Sequence, residues 1–152
     1  MVKNIKYNKI KDLREDHDLT QSQVAMMLGV NRSTYTMWEL GDVNFPIEKL
    51  IMLAKIFHTN LEYMLGISQD KQAIFYPDEI DVAFVGRNLK QQRIKLNKTQ
   101  KEFAITMCVH QSTYSYYEDG RTRIPTDRLI LLVDAYPISL NELCGAVQSI
   151  LL

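Results

Sequence analysis

Scarcity narrows the reading before any motif does. The 152 residues include two cysteines, four prolines and six glycines. Two cysteines build no disulfide framework, which fits a reducing compartment. Long apolar runs are missing. The longest, residues 50–57 and 129–133, fall far short of the ~20 residues a membrane span needs, and Lys55 interrupts the first. No apolar segment follows the charged residues 1–11, so no secretory signal is expected and the cytoplasm is the expected location. Convincing period-two alternation is absent as well, which argues against strands. What remains, 46% hydrophobic and 24% charged residues, excludes a disordered or fibrous chain.

Net charge is also missing: 18 Lys and Arg balance 18 Asp and Glu. No global positive field advertises a polyanionic partner. The distribution is uneven, however. Residues 1–69 are neutral, residues 70–81 carry net −3 and residues 82–152 net +3. An acidic connector thus separates a neutral half from a mildly basic one, and any polyanion contact must rest on local stripes.

Self-similarity organises the chain. With a shift of 79 residues, residues 10–66 overlie 89–145 without a gap, and 17 of the 57 positions are identical. They include Arg14/Arg93, Thr20/Thr99, Gln21/Gln100, Ala25/Ala104, Tyr35/Tyr114, Glu39/Glu118, Gly41/Gly120 and Pro46/Pro125. Two copies of one compact unit follow, residues 1–69 and 78–152 around a connector at 70–77. A pair this long reads as two domains rather than a solenoid.

Each copy reads as about five short helices, an all-α fold. Thr20 with Gln23, and Thr99 with Glu102, form capping boxes, and Ser139 with Glu142 offers a third. Asn31 is a good N-cap, whereas His110 is a poorer one. Gly41 and Gly120 stop helices, and Pro46 and Pro125 precede new ones. Leu50, Leu53, Ala54 and Phe57 share one helical face, matched by Leu129, Leu132, Val133 and Tyr136.

The segment 21–41 carries the functional signal. It reads as a helix, a three-residue turn and a second helix. Ala25 permits a close crossing, and Gly29 suits a left-handed turn residue. Val30, Tyr35 and Trp38 are spaced to lock the second helix onto the first, so Arg32, Ser33, Thr36 and Met37 face outward. This is the pattern of a helix-turn-helix, whose second helix fits a DNA major groove. Copy two departs at Cys108, which stands where copy one has Gly29. A positive φ there costs a non-glycine residue roughly 1 kcal/mol.

Both copies resemble the lambda-repressor/Cro-like helix-turn-helix family, also called the xenobiotic-response-element family. The matching text is T-Q-x-x-x-A-x-x-x-G-V-x-x-S-T-Y-x-x-W-E-x-G in copy one. Copy two reads T-Q-x-x-x-A-x-x-x-C-V-x-x-S-T-Y-x-x-Y-E-x-G. The likeness covers about 130 of the 152 residues. It implies five-helix bundles that bind double-stranded operator DNA. No Ser/His/Asp order, Gly-rich phosphate loop or carboxylate pair stands out, so no enzymatic activity and no cofactor are expected.

Carried over position by position, Gln21 and Gln100 would contact phosphate or brace the first recognition-helix residue. Arg32 and Gln111 would begin the recognition helices, with Arg suited to guanine and Gln to adenine. Ser33, Thr34, Thr36 and Met37, with Ser112, Thr113, Ser115 and Tyr116, are the other groove-facing candidates. The following loop would touch phosphates through Asn44 in copy one and Arg121 and Arg123 in copy two. Lys98 and Lys101 add charge on the same side. Tyr35, Trp38, Tyr114 and Tyr117 belong to the core by their inward spacing.

Cys108 and His110 make no metal site, because three or four ligands are required and Cys144 aligns with the core position Leu65. The resulting expectation is a bacterial or phage-type transcriptional regulator, a repressor, with two reading heads. A homodimer is a further expectation, as is a protein partner bound through the second domain or the apolar tail 147–152. The alternative is a protein-interaction module, such as an antitoxin, anti-repressor or dimerisation adaptor, whose second domain does not bind DNA.

Overall fold

The computed structural model describes residues 7–146, the side chain of Val82 apart. The expectations attached to the tail 147–152 lie outside the described residues. The chain divides into two compact units, Met1–Ile74 and Phe75–Leu152. The all-α expectation is borne out, with ten helices and no strand among the described residues.

In the first unit the helices are α1 (Asn8–Asp16), α2 (Gln21–Leu28), α3 (Arg32–Leu40), α4 (Ile47–Ile56) and α5 (Leu61–Met64). The second unit repeats them as α6 (Val82–Lys95), α7 (Gln100–Thr106), α8 (Gln111–Asp119), α9 (Thr126–Ala135) and α10 (Leu140–Leu143).

Local chemistry sets the boundaries. The Thr20 hydroxyl accepts from the Gln23 N–H at 3.1 Å, and Gln23 Oε1 accepts from the Thr20 N–H at 2.8 Å. Thr99 and Glu102 repeat the box with the same two distances. Asn31 Oδ1 accepts from the Thr34 N–H at 2.8 Å, while the His110 side chain makes no cap bond at α8. The turn after α2 does need a left-handed residue. Gly29 has φ +71°, and Cys108 is held at φ +56° in the same place.

The two cores use one plan with different parts. Tyr35, Leu50, Leu53 and Leu61 are fully buried, as are Tyr114, Leu129, Leu132 and Leu140. In the first unit the loop residue Phe45 stacks on Trp38 at 4.9 Å and meets the edge of Tyr35 at 6.3 Å. Ile124 takes the Phe45 position in the second unit, and Tyr114 meets Phe103 of α7 at 6.0 Å and Tyr117 of its own helix at 6.4 Å. In α6, Gly86 allows a close approach to α8. A Cβ there would lie 2.1 Å from the Tyr117 carbonyl oxygen.

The stretch read as a connector carries bonds to its neighbours. Asn60 Nδ2 donates to the Asp70 and Gln72 carbonyls at 2.9 and 2.8 Å, and Thr59 donates to that of Lys71. In the second unit the buried Tyr76 donates its hydroxyl to Asn141 at 2.7 Å. Phe75 stays exposed.

Candidate nucleic-acid interface

Each second helix is fixed from beneath by a buried ion pair. Arg14 reaches from α1 and donates Nε and Nη2 to the Glu39 carboxylate at 2.9 and 3.0 Å. Its Nη1 donates to the Leu19 carbonyl at 2.9 Å, just before α2. One guanidinium therefore ties together α1, the start of α2 and α3. Arg93 does the same in the second unit, bonding Glu118 through Nε and Nη2 and the Lys98 carbonyl at 2.8 Å. A fork of five donors in fixed geometry makes Arg suited to such a junction.

The carboxylates are shifted accordingly. Burial pushes Glu39 and Glu118 upward. The bonds from Arg14 and Arg93, helped by Gln21 and Gln100, outweigh it and hold both below the usual carboxylate range. Tyr114 donates its hydroxyl to Glu118 at 2.7 Å. Burial, reinforced by that carboxylate, keeps its phenol protonated.

Sequence reasoning assigns these ion pairs no role, because charged residues are ordinarily solvated. A signal is present nonetheless: Arg and Glu recur 25 residues apart in both copies. Lys49 and Arg128 are further residues that it misses. Lys49 Nζ donates to the Leu28 carbonyl at 2.7 Å, and Arg128 Nη1 to that of Met107 at 3.1 Å. Each cation thus satisfies a carbonyl at the end of the helix before the turn, where the helix dipole favours positive charge.

The outward face follows. Tyr35, Trp38, Tyr114 and Tyr117 are buried, as their spacing requires. Arg32, Ser33 and Met37 are exposed and Thr34 and Thr36 half-buried; Gln111, Ser112 and Tyr116 are exposed and Thr113 and Ser115 half-buried. Asn44, Lys101, Arg121 and Arg123 are exposed too.

Gln21 braces the recognition helix, but not at its first residue. Its Oε1 accepts from the Thr36 hydroxyl at 3.0 Å, and its Nε2 donates to Glu39 at 3.5 Å. Gln100 donates to Glu118 at 2.9 Å. Gln21 and Arg32 do come together across an open cleft of about 470 Å³, which Arg14, Leu19, Thr20 and Ser22 complete. In the second unit the Arg121 guanidinium lies over the Tyr116 ring at 5.4 Å.

Two exposed second helices, each locked by an arginine, a glutamate and a glutamine, define a tandem helix-turn-helix protein. The helix-turn-helix family matches residues 10–64 and again residues 89–143, and the chain belongs to it as a pair of lambda-repressor/Cro-like domains. Over 62 residues it is 32% identical to the uncharacterized HTH-type transcriptional regulator YobD of Bacillus subtilis (strain 168), covering 41% of this chain and 55% of that protein. It is 34% identical over 61 residues to the cryptic phage CTXphi transcriptional repressor RstR of Vibrio cholerae serotype O1, covering 40% and 54%. The HTH-type transcriptional regulator AnsR of Bacillus subtilis is 32% identical over 76 residues, covering 50% and 64%. The chain thus spans little more than half the length of the first two relatives. No solved structure gives a significant match. No helix among the described residues is long and apolar enough to cross a membrane.

Proposed function

We propose that this protein is a sequence-specific DNA-binding transcriptional regulator, a repressor of bacterial or phage type, without catalytic activity and acting in the cytoplasm. Residues 1–69 and 78–152 are its two reading heads and 70–77 the connector. The observation that carries the proposal is the pair of recognition helices, each exposed outward and pinned inward by Arg14–Glu39 or Arg93–Glu118. Such pinning presents the helix to a groove already folded, so binding costs side-chain ordering but not ordering of the helix.

Arg32 is the candidate reader of guanine in the first head, and Gln111 of adenine in the second. Ser33, Thr34, Thr36 and Met37, with Ser112, Thr113, Ser115 and Tyr116, complete the two faces. Gln21, Asn44, Gln100, Lys101, Arg121 and Arg123 are the candidate backbone contacts. Because the faces differ, the operator is a two-part site with unlike halves, occupied to exclude polymerase. A homodimer could still build a symmetric operator from two such sites.

A second reading rests on the second unit alone. Its recognition helix lacks the cap bond and follows a left-handed cysteine, which favours a protein-interaction role for that head. Selection of bound sequences from random DNA separates the two, using the intact chain, Arg32→Ala and Gln111→Ala. A two-part site, each variant relaxing one part, supports two reading heads. A single half-site indifferent to Gln111→Ala favours the second reading, and no enrichment overturns DNA reading altogether.

A further inference from the structure

We infer that the first head reads a thymine methyl group through Thr36 and Met37, and that the second head lacks this discrimination at the equivalent position. The inference rests on the DNA-reading role proposed above. It begins with the only proton of the Thr36 hydroxyl. That proton is shared between Gln21 Oε1 at 3.0 Å and the Arg32 carbonyl at 2.8 Å. Both acceptors belong to the protein, so Thr36 has no donor left for a base edge. What its half-buried side chain still offers is the hydroxyl oxygen as an acceptor and the methyl group, and the methyl is what sets it apart from serine. Met37 beside it is 43% exposed and ends in a thioether with no donor. The middle of this recognition face therefore has no side-chain donor to give and carries apolar groups from both residues. In the major groove the apolar feature of a base pair is the C5-methyl group of thymine, and threonine methyls suit it.

The neighbouring chemistry sharpens the assignment. Arg32 lies one turn before Thr36 on the same helix face. Four residues of helix rise ~6 Å, close to two base-pair steps of ~3.4 Å. Arg32 supplies donors and Thr36 supplies a methyl, so the first half-site holds a guanine and a thymine within about two steps of each other.

The second head is a built-in control. At the matching positions it has Ser115, which carries no methyl, and the exposed Tyr116, which has the Arg121 guanidinium over one face of its ring at 5.4 Å. Its glutamine, Gln100, donates to Glu118 at 2.9 Å.

Uracil differs from thymine by this methyl alone, so the test replaces each thymine of the selected site by uracil in turn. Affinities are measured for the intact chain, Thr36→Ser and Thr36→Val. Serine keeps the hydroxyl without the methyl, and valine keeps a methyl without the hydroxyl. The expected result is one thymine, in the half-site that Arg32→Ala relaxes, where uracil weakens binding about fourfold for the parent and for Thr36→Val. Thr36→Ser loses that penalty, and Ser115→Thr creates a new one in the other half-site. Indifference of the parent to uracil at every position overturns the inference while DNA reading stands. An undiminished penalty in Thr36→Ser assigns the methyl to another residue and overturns it as well. Failure to enrich any DNA overturns the proposed function itself.

Discussion

At the scale of single residues, the buried ion pairs carry the sharpest consequences. Removing one partner leaves an uncompensated buried charge. Arg14→Met is expected to cost about 3–5 kcal/mol, and Arg14→Met with Glu39→Leu to recover much of it. Urea unfolding checks both. The same pairs set a pH limit. Glu39 and Glu118 have folded values below their ordinary 4.5. Above that value both states are ionised and the contribution is complete. As pH falls below about 4.5 the unfolded chain takes up protons first, so stability drops toward the folded values. Urea midpoints should be level from pH 7 to 5 and fall steeply below 4.5, and Glu118→Gln should flatten that fall. The residues themselves are visible as identities between copies, yet their pairing is not. Sequence registers that Arg14 and Glu39 recur; only the crossing of α1 and α3 brings their side chains within 2.9 Å.

Two glycines show how differently one atom can weigh. Gly29 has φ +71° with nothing within 4 Å of an added Cβ, so Gly29→Ala is opposed only by backbone conformation, about 1 kcal/mol. Gly86 has ordinary helical geometry, but its Cβ would strike a backbone oxygen of α8. Gly86→Ala should therefore cost about 3 kcal/mol, reversing the order that conformational preference alone suggests.

At the scale of elements, caps and turns are readable because their chemistry is local. Both capping boxes, the Asn31 cap and the left-handed turn follow from residues within four positions of one another. The core partners of Tyr35 and Tyr114 are not readable. Aromatic bulk sits in a loop at Phe45 in one unit and in a helix at Phe103 in the other, and sequence alignment pairs each with an aliphatic residue. The missing cap at α8 gives a direct prediction. His110→Asn should supply the bond that Asn31 makes and stabilise the second unit by about 1 kcal/mol, whereas Asn31→Ala should cost the first about as much. Thermal melts of the two variants against the parent decide it. Loss of stability in His110→Asn would mean that the histidine already serves α8 in another way.

At the scale of the whole molecule, the proposed function spreads base reading over both heads but places most of the loop cations on the second. The loop after α3 runs Asp42, Val43, Asn44, and the loop after α8 runs Arg121, Thr122, Arg123. A chain with no net charge can still bind a polyanion if its cations cluster, and here they favour the second head. Removing one phosphate-binding cation should lower the slope of log affinity against log salt by about 1. Arg121→Ala with Arg123→Ala should thus lower it by about 2, with little change in the bases selected. Arg32→Ala should change the selected bases more than the slope. Binding isotherms across a salt series, run beside the sequence selection, measure both quantities on the same proteins. In the proposed arrangement bases are read by Arg32 and the Thr36 methyl in the first head and by Gln111 in the second, and much of the encounter rests on the second head's arginines. If Arg121→Ala and Arg123→Ala leave the slope untouched while the second half-site still depends on Gln111, the loop is not a phosphate clamp. The electrostatic contribution would then have to come from Lys98, Lys101 and the start of α7.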